Sequence, residues 1–162
     1  MKQAIAGTWV YVTVLIFMVI LIAYVTISIN YANAYELSEE VIKVVEQYEG
    51  YNSNTRKRID RILTNNVHAS KGGCKKSTEH NEAVIGGIGE NYDKQLNGGS
   101  YNYCIKKTKG NADGTTRYYY ETTIFFSFSL PVLGDLFTFR IYGQTSGLRN
   151  VTDDVDTFKN IT

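Results

Sequence analysis

The sequence predicts an α+β protein in which an N-terminal transmembrane helix continues into an amphipathic helix, packed on a small antiparallel β-sheet. Three observations predict it. A run without a charged residue extends from Gln3 to Tyr35, helical periodicity follows, and period-two alternation fills much of the carboxy-terminal third. The 162 residues are 43% hydrophobic and 20% charged with a formal net charge of +1, which fits one modest domain plus an appendage. Thirteen tyrosines and a single proline favour strands over flexible linker. The near-neutral balance has no basic block, so there is no electrostatic footprint for nucleic acid and no direct readout of it. Arg56-Lys57-Arg58 is followed by Asp60 and reads as a solvated helix face.

The span is assigned to residues 8–30, behind a cytoplasmic stretch at 1–7. From Trp9 to Ile29 the chain is apolar but for two threonines, a serine and the tyrosines. At about 1.5 Å per residue this stretch reaches roughly 30 Å as a helix, the thickness of a bilayer's hydrocarbon core. Backbone groups in lipid have no water to bond, so helix is the expected state despite the many β-branched residues. Trp9 and Tyr11 at one end, and Tyr31 and Tyr35 at the other, fit the two membrane–water interfaces. The run ends in Ala32-Asn33-Ala34, small residues at the positions a signal peptidase reads. A secretion signal has an apolar core of about 7–15 residues, shorter than this one, which favours an uncleaved anchor; the alternative is cleavage after Ala34. Lys2 precedes the span, while Glu36, Glu39 and Glu40 follow it, and only the lysine counts in setting topology. The expectation is a single-pass protein of the cell membrane, amino terminus cytoplasmic and carboxy-terminal domain extracytoplasmic.

Residues 31–66 form an extracytoplasmic helical region. Leu37, Val41, Val44, Val45 and Tyr48 recur at helical spacing with acidic residues and Lys43 mostly between them. Gly50 and Asn52-Ser53-Asn54 interrupt the pattern, and Ser53 or Asn54 is placed as the cap of a second helix through Ile59, Ile62 and Leu63, ending near Asn65-Asn66. Residues 67–100 are rich in Gly, Ser, Asn and Lys and read as loop, with a brief apolar patch at AVIGGIG whose glycines supply flexibility. No Gly-Lys-Ser/Thr follows GGIG, so it opens no phosphate-binding loop. His68, His80, Cys74 and Glu79 match none of the usual zinc spacings, and no metal is assigned. Cys74 and Cys104, the only cysteines, lie on the expected outer side and are paired as a disulfide, with two free thiols as the alternative. In the chain-entropy account such a bridge contributes roughly 3 to 4 kcal/mol.

Residues 101–148 read as an antiparallel meander. In RYYYETTIFFSFSL, Tyr118, Tyr120, Ile124, Phe126, Phe128 and Leu130 fall on one face, with Arg117, Glu121, Ser127 and Ser129 on the other. Pro131 ends that strand, Val132-Leu133-Gly134-Asp135 turns, and Phe137, Phe139 and Ile141 point inward along the next, with Thr138, Arg140 and Tyr142 outward. YNYCIKKT is a third strand, joined through KGNADGTT, whose Asp113-Gly114 is a hairpin signal. Residues 149–162 read as a polar tail. Its Asp153, Asp154 and Asp156 lack the glycine and distal glutamate of a calcium loop and are taken as solvated. Asn150-Val151-Thr152 and Asn160-Ile161-Thr162 fit the glycosylation pattern, which counts only in a glycosylating host.

A membrane helix, an amphipathic extension and a terminal hairpin reading FSFSLPVLGDLFTFRIYGQTSG, with Leu130-Pro131, Gly134, Arg140, Gly143 and Thr145, resemble the TadE-like pseudopilins. The motif likeness covers about Phe125 to Gly147. It implies a membrane-anchored, extracytoplasmic structural subunit, a minor pilin-like component of a surface filament, secretion or DNA-transfer apparatus. The implied partners are the lipid bilayer and other single-span pilin-like subunits or an assembly platform. One position departs from processed pilins: with Gly7 before a mature start, the fifth mature position is Val12 and not a glutamate. No triad context, nucleophile elbow, metal motif or nucleotide loop is present, so neither enzyme, cofactor nor small-molecule substrate is expected. The other classes are a membrane-tethered ligand- or surface-binding module and, behind it, an unrecognised extracytoplasmic enzyme.

Overall fold

The structure, a computed structural model, describes residues 2–66, 68–77, 82–112, 114–130, 134–154 and 158, and at 2–7, 112, 128–130 and 134–137 the backbone alone. Helix α1 (Lys2–Gln47) is one unbroken helix of 46 residues. No proline or glycine interrupts it after Gly7, so the apolar run passes through Ala32-Asn33-Ala34 into the domain without a bend in the sequence to stop it. Ala34, Leu37, Val41, Val44 and Val45, at helical spacing, are buried. The helix ends where Glu49 (φ 51°) and Gly50 (φ 136°) turn left-handed and the Gly50 amide donates back to the Val45 carbonyl at 2.9 Å. A Cβ on Gly50 would lie 2.7 Å from Asp153 Oδ1.

Helix α2 (Ser53–Asn65) is capped by Asn52, not by Ser53 or Asn54 as expected. Asn52 has extended backbone angles, so its Oδ1 folds back to accept from the Asn54 and Thr55 amides, each at 3.0 Å. Thr55, Ile59, Ile62 and Leu63 form its buried stripe.

Among the described residues the strands are β1 (Glu82–Ile88), β2 (Asn91–Asp93), β3 (Tyr103–Ala112), β4 (Thr115–Leu130) and β5 (Gly134–Gln144), in one sheet of order β2-β1-β3-β4-β5. All described pairs are antiparallel. The reading of 67–100 as loop is corrected here, because Glu82–Gly87 pairs with β3 and Gly86–Ile88 with β2. The glycines of that strand are not flexible links. A Cβ on Gly86 would overlap the Tyr101 ring and one on Gly87 the Tyr103 ring, so both are packing positions where an aromatic side chain covers bare backbone. The β3–β4 hairpin turns as expected, with Ala112 opposite Thr115 and Gly114 at φ +71°. β5 begins at Gly134, a residue assigned to the turn by sequence; Pro131, Val132 and Leu133 lie outside the described residues.

The core lies between the helices and one face of the sheet. Tyr103, Ile105, Tyr120, Ile124, Phe126 and Ile141 are buried there, on the faces that alternation assigned for β4 and β5. Each such side chain contributes roughly 1.5–3 kcal/mol by leaving water. Helix α1 runs in the same direction as β5: Glu46 Oε1 accepts from Ser146 N at 2.7 Å and Ser146 Oγ at 2.8 Å, Ser38 and Ile42 pack over Gly143, and Phe139 lies level with Ile27 to Tyr31. Residues 68–72 hem the sheet beyond the start of β3. The Ser70 amide donates to Phe125 and the Ser127 amide to His68, both at 2.9 Å, and Gly72 pairs with Tyr101.

Candidate functional site

Helix α1 is long and apolar enough to cross a membrane, and the most hydrophobic window of this helix is unburied. Trp9 (71% exposed), Tyr11 and the valines, leucines and isoleucines up to Val25 are exposed. The polar groups within the run close on the helix itself: Thr13 Oγ1 donates to the Trp9 carbonyl and Thr26 Oγ1 to that of Ile22, both at 2.8 Å. Asn30 Nδ2 donates to the Thr26 carbonyl at 3.0 Å. This internal satisfaction is what a segment without water requires. Tyr31 and Tyr35, expected at one membrane–water interface, meet edge to face with centroids 4.9 Å apart and share a 3.2 Å hydrogen bond between hydroxyls. Ala32 is exposed, whereas Ala34 (3% exposed) belongs to the core. Ala34 helps line an apolar cavity of about 240 Å³, with Ile27, Asn30 and Tyr31 of α1 on one side and Phe126, Phe139 and Ile141 on the other.

Cys74 and Cys104 are disulfide-bonded, with Cα atoms 5.7 Å apart. The bridge ties the 68–77 segment to β3 on the sheet face away from the helices. Beside it, a shallow crevice of about 150 Å³ includes Lys75, Lys106, Glu121, Arg140 and Tyr142 in its walls. Lys106 Nζ lies 3.0 Å from Glu82 and 3.1 Å from Glu121. Hydrogen bonding by Ser77, then Lys106, holds the Glu82 carboxyl below its ordinary range, and the Glu82 contact raises Lys106. Both shifts favour the charged forms. These groups are arranged to stay ionised near neutrality, which suits a surface ion-pair network and not proton transfer.

Sequence reasoning missed a cluster around the tail. Asp153 Oδ1 accepts from the Tyr51 amide at 2.6 Å, Oδ2 accepts from Lys107 Nζ at 2.6 Å, and the Tyr120 hydroxyl reaches the same carboxylate at 2.8 Å. The Lys107 and Asp153 side chains are only 8% and 10% exposed. The ammonium also sits 4.3 Å from the Tyr118 ring centre and 5.3 Å from that of Phe158. Asp154 pairs with Arg56 at 2.6 Å, and Arg56 stacks over Tyr92. The solvated reading of Asp153 and Asp154 is therefore corrected, as is that of Arg56; Lys57 and Arg58 are exposed as expected. The cause is the chain's path: the Thr152 amide donates to the Glu49 carbonyl at 2.8 Å, which lays the tail along the α1–α2 connection. One signal was available, since alternation from Tyr103 through Ile105 puts Lys107 on the inward face, where a lysine needs a partner.

Burial is the main cause of three raised phenol pKa values. Tyr51 and Tyr120 are pushed well up, Tyr51 further by Tyr103 and Tyr120 by Asp153, while Tyr103 rises to about 12. The Tyr51 and Tyr103 hydroxyls hydrogen-bond at 2.8 Å inside the core. His68 packs against Phe126, with centroids 5.4 Å apart. Among the described residues no three His, Cys, Asp or Glu side chains converge to hold a metal; His80, Glu79, Asp156, Asn160 and Thr162 lie outside them. Comparison with known proteins finds no match to a protein-family model, to a curated protein or to a solved structure.

Proposed function

We propose that this chain is a membrane-anchored, extracytoplasmic structural subunit, a minor pilin-like component of a surface filament, secretion or DNA-transfer apparatus. One observation carries the reading: a single helix supplies both an unpartnered apolar half of membrane-spanning length and a half buried under an antiparallel sheet. A rigid continuation of this kind transmits the position of the membrane segment to the outer domain, as an assembly subunit requires. Attraction between neighbouring spans would come from side-chain packing, since the segment carries no charge between Lys2 and Glu36. The disulfide fits an oxidising compartment and hence an outer domain.

The test is cysteine cross-linking in native membranes. Cys74 and Cys104 are bonded to one another, so a cysteine added singly from Val12 to Ile22 is the free thiol of its variant. Cross-links to a second copy, or to another single-span protein identified by mass spectrometry, are expected on one helical face at a period near 3.6. Uniformly absent cross-links with the domain still membrane-bound would leave a solitary tethered module and overturn the subunit reading.

A further inference from the structure

The shared direction of α1 and β5 sets the level of the β4–β5 hairpin. Ser146 meets Glu46, Gly143 lies under Ser38 and Ile42, and Phe139 and Ile141 share the apolar cavity with Ile27, Tyr31 and Ala34. Progress toward the start of β5 is therefore progress toward the amino end of α1. Ile27 to Tyr31 is the exit of the apolar run, so Phe126 and Phe139 stand where hydrocarbon gives way to headgroups. The strands continue past this plane. Phe128 pairs with Phe137 and Leu130 with Gly134. At about 3.3 Å per strand residue, Phe137 lies about 7 Å beyond Phe139 alongside the span.

The sequence of that end, FSLPVLGDLF from 128 to 137, has one charged residue, Asp135. The β3–β4 hairpin closes at the opposite end of the sheet through polar KGNADGTT. The apolar hairpin end is thus the one beside the apolar half of α1, and the polar one is remote from it. We propose that the facing strand ends Phe128–Leu130 and Gly134–Phe137 insert into the outer leaflet, giving the domain a second membrane contact beside its anchor. This rests on the reading of α1 as a membrane span. Among the described pairings, the outer edges of Phe128–Leu130 and Gly134–Phe137 have no strand partner. Their amide groups need water or headgroups, so insertion stops near the headgroup–acyl boundary, about 5–10 Å deep. Lipid acyl chains fill the cavity between α1 and the hairpin, and two contacts fix the tilt of the domain on the membrane.

Tryptophan depth measurement tests this on the full chain. Trp9 is the sole tryptophan, so W9F gives a silent background. Into it go Phe137→Trp, its register partner Phe128→Trp, Tyr24→Trp within the span, and Tyr142→Trp on the outward face of β5. Each is reconstituted in phosphatidylcholine–phosphatidylglycerol vesicles carrying bromine on the acyl chain close to the headgroup. The hairpin tryptophans are expected to be quenched about twofold or more beyond Tyr142→Trp, as interfacial insertion demands. Hairpin quenching equal to that of Tyr142→Trp, with Tyr24→Trp quenched, overturns the hairpin contact and leaves the anchor. Absence of quenching in Tyr24→Trp overturns the anchor reading and the hairpin contact with it. Hairpin tryptophans shielded from both bromolipid and dissolved acrylamide would be covered by protein, which also overturns it. If Phe137→Trp does not fold, Phe128→Trp carries the same reading.

Discussion

Asp153 holds three groups that would otherwise be buried without partners: the Lys107 ammonium, the Tyr120 hydroxyl and the Tyr51 amide. Removing one side of such an arrangement leaves a charge in low dielectric, a larger effect than losing the contact itself. Asp153→Ala is therefore expected to lower stability by about 3–5 kcal/mol in denaturant unfolding. Asp153→Asn, which can still accept from Tyr120 and the Tyr51 amide, should lose less. Equal losses in the two variants, or none, would show that the tail does not seal this cluster in solution.

The 68–77 segment reaches the sheet through three backbone pairings and one covalent bond. Cys74 and Cys104 are separated by 30 positions, so the bridge removes a long loop's freedom from the unfolded chain. Reduction, or Cys74→Ala with Cys104→Ala, is expected to cost about 3–4 kcal/mol, read as a lower unfolding midpoint in urea. Alkylation of denatured, unreduced protein should find no thiol. The element level is also where sequence reading was most uneven. Long amphipathic stretches such as α1 and β4 were legible because many residues repeat one period. β1 was not, because its inward positions are Ala83, Ile85 and Gly87, and a strand whose glycines are covered by tyrosines from a neighbouring segment carries almost no periodic signal of its own.

For the whole molecule, the buried tyrosines set the alkaline limit of stability. Tyr51, Tyr103 and Tyr120 have folded pKa values above the unfolded value of about 10, so the folded state retains their protons more tightly. Their contribution is complete below about pH 10 and is lost as pH rises toward the folded values. Alkaline titration is expected to show the tyrosinate absorbance of these three residues rising together with loss of circular dichroism. At the acid end the sign reverses: Glu82, lowered by Ser77 and Lys106, adds stability above about pH 4.3 that is lost as pH falls through its folded value. Glu82→Gln should flatten that acid limb. Ionisation of all tyrosines in one step before unfolding would contradict the buried placement.

By itself the sequence determined what depends on neighbours along the chain. An uncharged apolar run, an unbroken helical register through Ala34, the alternation of β4 and β5 and the Asp113-Gly114 turn each follow from local steric and solvation rules. The pairing of the only two cysteines followed from their number and expected compartment. Tertiary structure decided what depends on segments far apart: that Glu82–Ile88 completes a sheet beside β3, that the tail packs against Lys107, and that the β4–β5 hairpin lies level with the exit of the apolar run. Asp153 and Lys107 are 46 positions apart, and neither sequence neighbourhood announces the other. A charged residue is buried or solvated according to what the rest of the chain brings to it, and no local period encodes that.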